Sequence, residues 1–244
     1  MTQNEVKRYV KQAASDAKAD FLDNEIFEET LIEHFYDRST DWVKDYINVP
    51  IRELIATRKR AFYNKGDSWR IAAPKMDLLT WEKSSTIEYF TSPLKEVEFP
   101  ADDSSRELEL FIVGGAVYCK WGNNRVVAGM VIKAFEEGAN AEFEQVRCFY
   151  QPLEETLRPV FEKVITDNAK LSYHWPENSV MTLLLTHQDN SWELYLFDVE
   201  CKLISKGKNR LSKWLAIGKY KGGFEPIPSR MIERLLMTHW GKHF

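Results

Sequence analysis

The run Glu107-Leu108-Glu109-Leu110-Phe111-Ile112-Val113-Gly114-Gly115-Ala116-Val117-Tyr118-Cys119-Lys120-Trp121 decides the fold. It reads as a strand bulged at Gly114-Gly115. Gly122-Asn123-Asn124 then turns the chain and 125–135 returns. Glu137-Gly138-Ala139-Asn140 turns it again and 142–150 returns once more. Strand-like segments punctuated by turn residues predict an antiparallel meander.

On the N-terminal side, 69–73 and 86–90 read as further strands. Between 92 and 106, Pro93, Pro100 and Ala101-Asp102-Asp103-Ser104-Ser105 mark loops. Before them, 1–63 reads as four short amphipathic helices. Thr2-x-x-Glu5 is a capping box, and Val6, Tyr9, Val10, Ala13, Ala14 and Ala17 follow helical spacing. A second stripe holds Phe27, Leu31, His34 and Phe35. A third holds Trp42, Tyr46 and Ile47. A fourth, opened by Pro50, holds Ile51, Leu54, Ile55 and Phe62. On the C-terminal side, 152–169 reads as a helix. The segment 180–187 runs into a hairpin, Gln188-Asp189-Asn190 turns it, and 192–203 runs back. Helices are expected over 206–217 and 228–240. The fold class is therefore α+β: a helical N-terminal segment over 1–63, then an α+β domain over 64–244 with a largely antiparallel sheet and flanking helices.

The chain has 244 residues, 44% of them hydrophobic and 13% aromatic, which is enough for a sizeable core and excludes a mainly disordered chain. Cys119, Cys148 and Cys201 form no CxxC pair, which argues against a zinc ribbon or a disulfide framework and for reduced thiols in the cytoplasm. The N-terminus lacks the apolar stretch of a secretory leader, and the longest mostly apolar run, 110–119, is too short to span a bilayer. No membrane partner is expected. Neither GxxxxGK[ST] nor GxGxxG occurs, so phosphate-loop and dinucleotide-binding functions lose support.

Charge is unevenly spread. Residues 1–50 carry 6 Lys and Arg against 11 Asp and Glu, and 151–200 carry 3 against 9. Two segments are basic: 52–75 has 7 against 2, and 201–244 has 10 against 2. Such segregation suggests a surface that faces a polyanion, or basic segments that neutralise the protein's own acidic ones.

The return segment of the last hairpin carries the candidate chemistry. Alternation places Leu194, Leu196, Asp198, Glu200 and Lys202 on one face, which turns from apolar to charged along the strand. Burying such charges unpaired is costly, so they require an explanation. With the turn centred near Asp189, Glu200 falls opposite a residue near Asn178, and Glu177 can come close to it. Asp189 is at the tip, tens of Å away at about 3.3 Å per residue. Pro176-Glu177, then Glu200-Cys201-Lys202 after 22 intervening residues, resembles the PD-(D/E)xK nuclease superfamily over about 50 residues. That resemblance implies an acidic residue on one strand and an acid-x-lysine on its antiparallel neighbour. Glu177, Asp198 and Glu200 would ligate Mg²⁺, with a further carboxylate from Glu154, Glu155 or Glu162. Glu177, Glu200 and Lys202 would form the catalytic set, Lys202 as base or charge stabiliser, for metal-assisted phosphodiester cleavage.

Lys206, Lys208, Arg210, Lys213, Lys219 and Lys221 follow, with no acidic residue between Lys202 and Glu225. With Trp214 as a stacking residue, they form a candidate nucleic-acid-binding run for DNA or RNA. The alternative is a non-enzymatic regulatory or assembly protein whose basic segments contact an acidic surface on a partner protein. His239-x-x-x-His243 has the spacing of a metal pair, but Gly241 interrupts the helix between them.

Overall fold

The computed structural model describes residues 3–58, 62–78, 80–101, 107–176, 180–220 and 222–243. Helix α1 (Gln3–Asp16) leads to the two-residue strand β1 (Phe27–Glu28) and helix α2 (Glu29–Glu33). Strands β2 (Val43–Pro50) and β3 (Leu54–Thr57) follow, then helices α3 (Trp69–Ala72) and α4 (Lys83–Thr91). Strands β4 (Glu109–Val113) and β5 (Ala116–Trp121) run into helix α5 (Asn123–Glu136), and β6 (Glu142–Gln151) returns. After α6 (Arg158–Thr166) come β7 (Lys170–His174), β8 (Met181–Thr186), β9 (Trp192–Phe197) and β10 (Cys201–Gly207). Helix α7 (Arg210–Ile217), the short strand β11 (Glu225–Pro226) and α8 (Ser229–Leu236) follow.

Two sheets result, and the α+β expectation holds. The first has six strands in the order β1-β3-β5-β4-β6-β2 and is mixed: β3 is parallel to β1 and β5, and β4 is parallel to β6. The second has five antiparallel strands in the order β10-β9-β8-β7-β11. Residues of α1, α3, α4 and α5 share one core with Leu110, Ile112, Val117 and Cys119 of the first sheet. Phe111, Val113 and Tyr118, on its other face, share a second core with α6, α8 and the inner face of the second sheet. None of the described helices is long and apolar enough to cross a membrane.

The hairpin between β4 and β5 has Gly114-Gly115 as a two-residue turn rather than as a bulge. Glycine is required there. Gly114 has φ +57°, and a Cβ on it would lie 2.1 Å from the Leu235 carbonyl oxygen.

The N-terminal reading needs correction. The α1 stripe is buried as expected, from Val6 to Ala17. Of the second expected helix, α2 keeps Leu31 but Phe27 belongs to β1; the third is not a helix, since Trp42 precedes β2 and Tyr46 and Ile47 lie in it. Ile51–Glu53 is one 3-10 turn, and Leu54–Thr57 is a strand buried at all four positions. Three strands from 27–57 thus join a sheet completed by 109–151. Conversely, the expected strands at 69–73 and 86–90 are helices. Ser68 caps α3 by accepting the Ile71 N–H, and Glu82 caps α4 by accepting the Ser84 and Ser85 N–H groups. The expected strand at 125–135 is α5, whose residues from Asn123 to Ala134 are nearly all buried. A helix buried on nearly every side shows little amphipathic period, and the meander reading fails for that reason.

Candidate functional site

The segment that carries the nuclease resemblance is not one strand. β9 ends at Phe197, Asp198-Val199-Glu200 turns the chain, and Cys201 opens β10 opposite Phe197. Lys202 then pairs with Leu196, so β10 runs back along β9 instead of extending it. Asp198 and Glu200 therefore sit on a turn and Lys202 beside it, each well exposed, and the cost of burying charge does not arise. The Lys202 ammonium lies 3.0 Å from the Glu200 carboxylate, and Arg38 lies 3.6 Å from Asp198.

Glu177 lies outside the described residues. Of the expected accessory carboxylates, Glu154 accepts bonds from Thr156, Glu155 pairs with Arg158 at 3.6 Å, and Glu162 is exposed. Among the described residues no group of three His, Cys, Asp or Glu is placed to hold a metal ion. The donor set for Mg²⁺ is thus not assembled by the described residues, and no hydrolytic step follows from them. His239 and His243 both pack on the Trp240 ring in a 3-10 turn.

The basic run takes two forms. Lys206, expected to open a helix, belongs to β10, opposite Glu193, and so precedes α7; Lys208 follows the strand. Gly207 is the last residue of β10, and a Cβ there would lie 2.6 Å from Trp192 Nε1 and from Ser212 Oγ. This close approach lets α7 settle on the sheet. Asn209 caps the helix by accepting the Ser212 N–H, and Trp192 Nε1 donates to Ser212 Oγ at 3.1 Å.

From that anchor the side chains of α7 divide. Ala216 and Ile217, with Tyr220 and Phe224 beyond the helix, pack on Leu184, Trp192 and Leu194. Lys213 also turns inward, donating to Thr186 Oγ1 at 2.7 Å, and burial holds its ammonium below the usual lysine range. Arg210 donates to Asn190 Oδ1 at 3.0 Å, and Lys219 lies over the Tyr220 ring. Lys221 is outside the described residues.

The other face of α7 is apolar and bare. Leu211, Trp214 and Leu215 are 68%, 67% and 67% exposed. Their i, i+3, i+4 spacing puts them on one stripe, pointing away from the sheet. Beside the helix, Leu203 and Ile204 of β10 are also about half exposed. β10 is an edge strand, and Lys202, Lys206 and the irregularity between Leu203 and Ser205 discourage pairing along it. Sequence reasoning singled out Trp214 and the cations but missed Leu211 and Leu215. The signal was there as a second apolar stripe beside Ala216 and Ile217.

The cations around this stripe differ from those of the other basic segment. Lys65 pairs with Glu225, Arg70 with Asp23 and Lys75 with Asp67 at 3.0, 2.8 and 2.6 Å, and Arg58 approaches Glu29 at 4.0 Å. By contrast, Lys206, Lys208, Arg210, Lys213 and Lys219 have no ion-pair partner among the described residues. No protein-family model, curated protein or solved structure matches this chain.

Proposed function

We propose that this protein acts by docking an acidic partner protein on its C-terminal surface, as a regulatory or assembly component. One observation carries the reading: an apolar helix stripe of Leu211, Trp214 and Leu215, two-thirds exposed, with Lys208, Arg210 and Lys219 next to it in the chain and without an ion-pair partner among the described residues. Contiguous exposed apolar surface rimmed by polar groups marks interaction sites. Covering these side chains would contribute roughly 1.5–3 kcal/mol each, and the cations would supply steering and orientation. The three free thiols support a reducing, cytoplasmic setting.

Trp214 among cations is also the observation that favours the DNA- or RNA-acting reading, because bases stack on exposed aromatic rings. Leu211 and Leu215 weigh against it, since they offer aliphatic surface and no stacking face. The two readings separate in one experiment. Two fluorescent probes are titrated against the protein with Mg²⁺ present: an acidic amphipathic helical peptide and a single-stranded oligonucleotide. The docking reading expects peptide binding that Leu211→Ser with Leu215→Ser removes, and no strand cleavage. Cleavage that Glu200→Ala abolishes would replace it with the metal-dependent nuclease reading.

A further inference from the structure

The two sheets present an edge each to a shared cavity. β1 is the terminal strand of the first sheet and β11 of the second, and residues of both line a space of about 110 Å³. Its floor is apolar: Phe27, Leu31, Tyr63 and Met231 are all buried. Its mouth carries Glu25 and Glu225 and, of the described residues lining it, a single cation, Lys65. The Lys65 ammonium lies 3.0 Å from Glu225 Oε2, and the Tyr173 hydroxyl donates to the same oxygen at 3.4 Å. Arg230 lies 5.8 Å from the Phe27 ring centroid and donates to the Glu25 carbonyl, but it does not line the space.

We infer that this cavity binds a small organic amine, with one ring or a branched alkyl body on the apolar floor and a single positive charge at the carboxylate mouth. The volume bounds the size: about 110 Å³ is less than the apolar cavity of about 150 Å³ that holds benzene, so one ring fills the enclosed part and its substituent reaches the open, charged end. The walls set the charge. Aromatic faces attract cations, and an ammonium at Glu225 gains a charge-assisted hydrogen bond. Lys65 already shows the geometry: its exposed side chain reaches Glu225 at 3.0 Å, in the place an incoming ammonium would take.

This site is independent of the α7 surface, and its test uses exposed residues whose loss leaves the core untouched. Phenethylamine, with phenethyl alcohol and phenylacetate as its neutral and anionic counterparts, is titrated calorimetrically into wild type, Lys65→Ala and Glu225→Gln. The expected result is saturable one-to-one binding of the amine. The alcohol binds about tenfold more weakly and the acid not at all. Lys65→Ala binds the amine about threefold more tightly, because its internal competitor is gone, and Glu225→Gln about tenfold more weakly. Alcohol or acid bound as tightly as the amine would overturn the assignment. So would an affinity unchanged or lowered by Lys65→Ala, or no saturable binding by any of the three proteins at millimolar ligand.

Discussion

The described cations of 65–75 and those around α7 are of the same residue types and meet opposite fates. In 52–75, Lys65, Arg70 and Lys75 each find a carboxylate of the same chain within 3.0 Å, and one partner is 160 positions away. Around α7, Lys206, Lys208, Arg210 and Lys219 find none among the described residues. Positive charge in a sequence is therefore not yet a binding surface. It becomes one where the fold withholds counter-charges and leaves apolar groups uncovered beside it, as at Leu211, Trp214 and Leu215.

The comparison can be broken most severely at Trp192. It is 2% exposed and seats α7 on the sheet. Trp192→Ala is expected to cost about 3 kcal/mol in denaturant unfolding and to abolish docking, because α7 loses its floor. If docking survives, the site does not depend on α7. Next comes Lys206→Glu with Lys208→Glu and Arg210→Glu. This variant should weaken association more than tenfold, which is over about 1.4 kcal/mol, with the unfolding midpoint nearly unchanged. A shifted midpoint with unchanged association would reverse the assignment of the two segments.

The self-neutralised segment should respond in the opposite sense. Arg70 donates to the carbonyls of Ala14, Ala17 and Ala19 as well as to Asp23, so it ties down the end of α1. Arg70→Ala is expected to cost about 1 kcal/mol of stability and leave association intact, measured by urea unfolding and by titration of the partner probe. The smallest effect is acid sensitivity. Hydrogen bonds from Lys75 to Asp67 and from Lys65 to Glu225 hold both carboxyls below their ordinary values. Their contribution is fully present above those ordinary values, 3.8 for Asp67 and 4.5 for Glu225, and is lost as pH falls through the lower folded values. Lys65→Ala with Lys75→Ala should flatten that acid limb slightly in pH-dependent unfolding. An unchanged slope would mean that these pairs contribute nothing.

How much of this was legible in the sequence follows from what is local. The α1 stripe, strand β8 and the turn at Gln188-Asp189-Asn190 depend on neighbours in sequence, and all were readable. Helix α5 was not, because burial on nearly every side left little period. β3 was misread because four buried residues fit a helix stripe and an interior strand equally well. Asp198, Glu200 and Lys202 looked like one face of a strand because alternation cannot reveal a turn inserted within it. For the candidate site, the cations and Trp214 could be named from sequence. Which cations stay without counter-charge could not, because pairs such as Lys65–Glu225 exist only after folding.

The most direct test of the docking account is photo-crosslinking in the native cell. A benzoylphenylalanine replaces Trp214, with Ile71, half exposed on α3, as the control position. The account predicts a discrete adduct with an acidic polypeptide at position 214 and none at position 71. It also predicts that the Lys206, Lys208 and Arg210 charge reversal removes the adduct. Adducts to nucleic acid at position 214, or the same polypeptide at both positions, would contradict it.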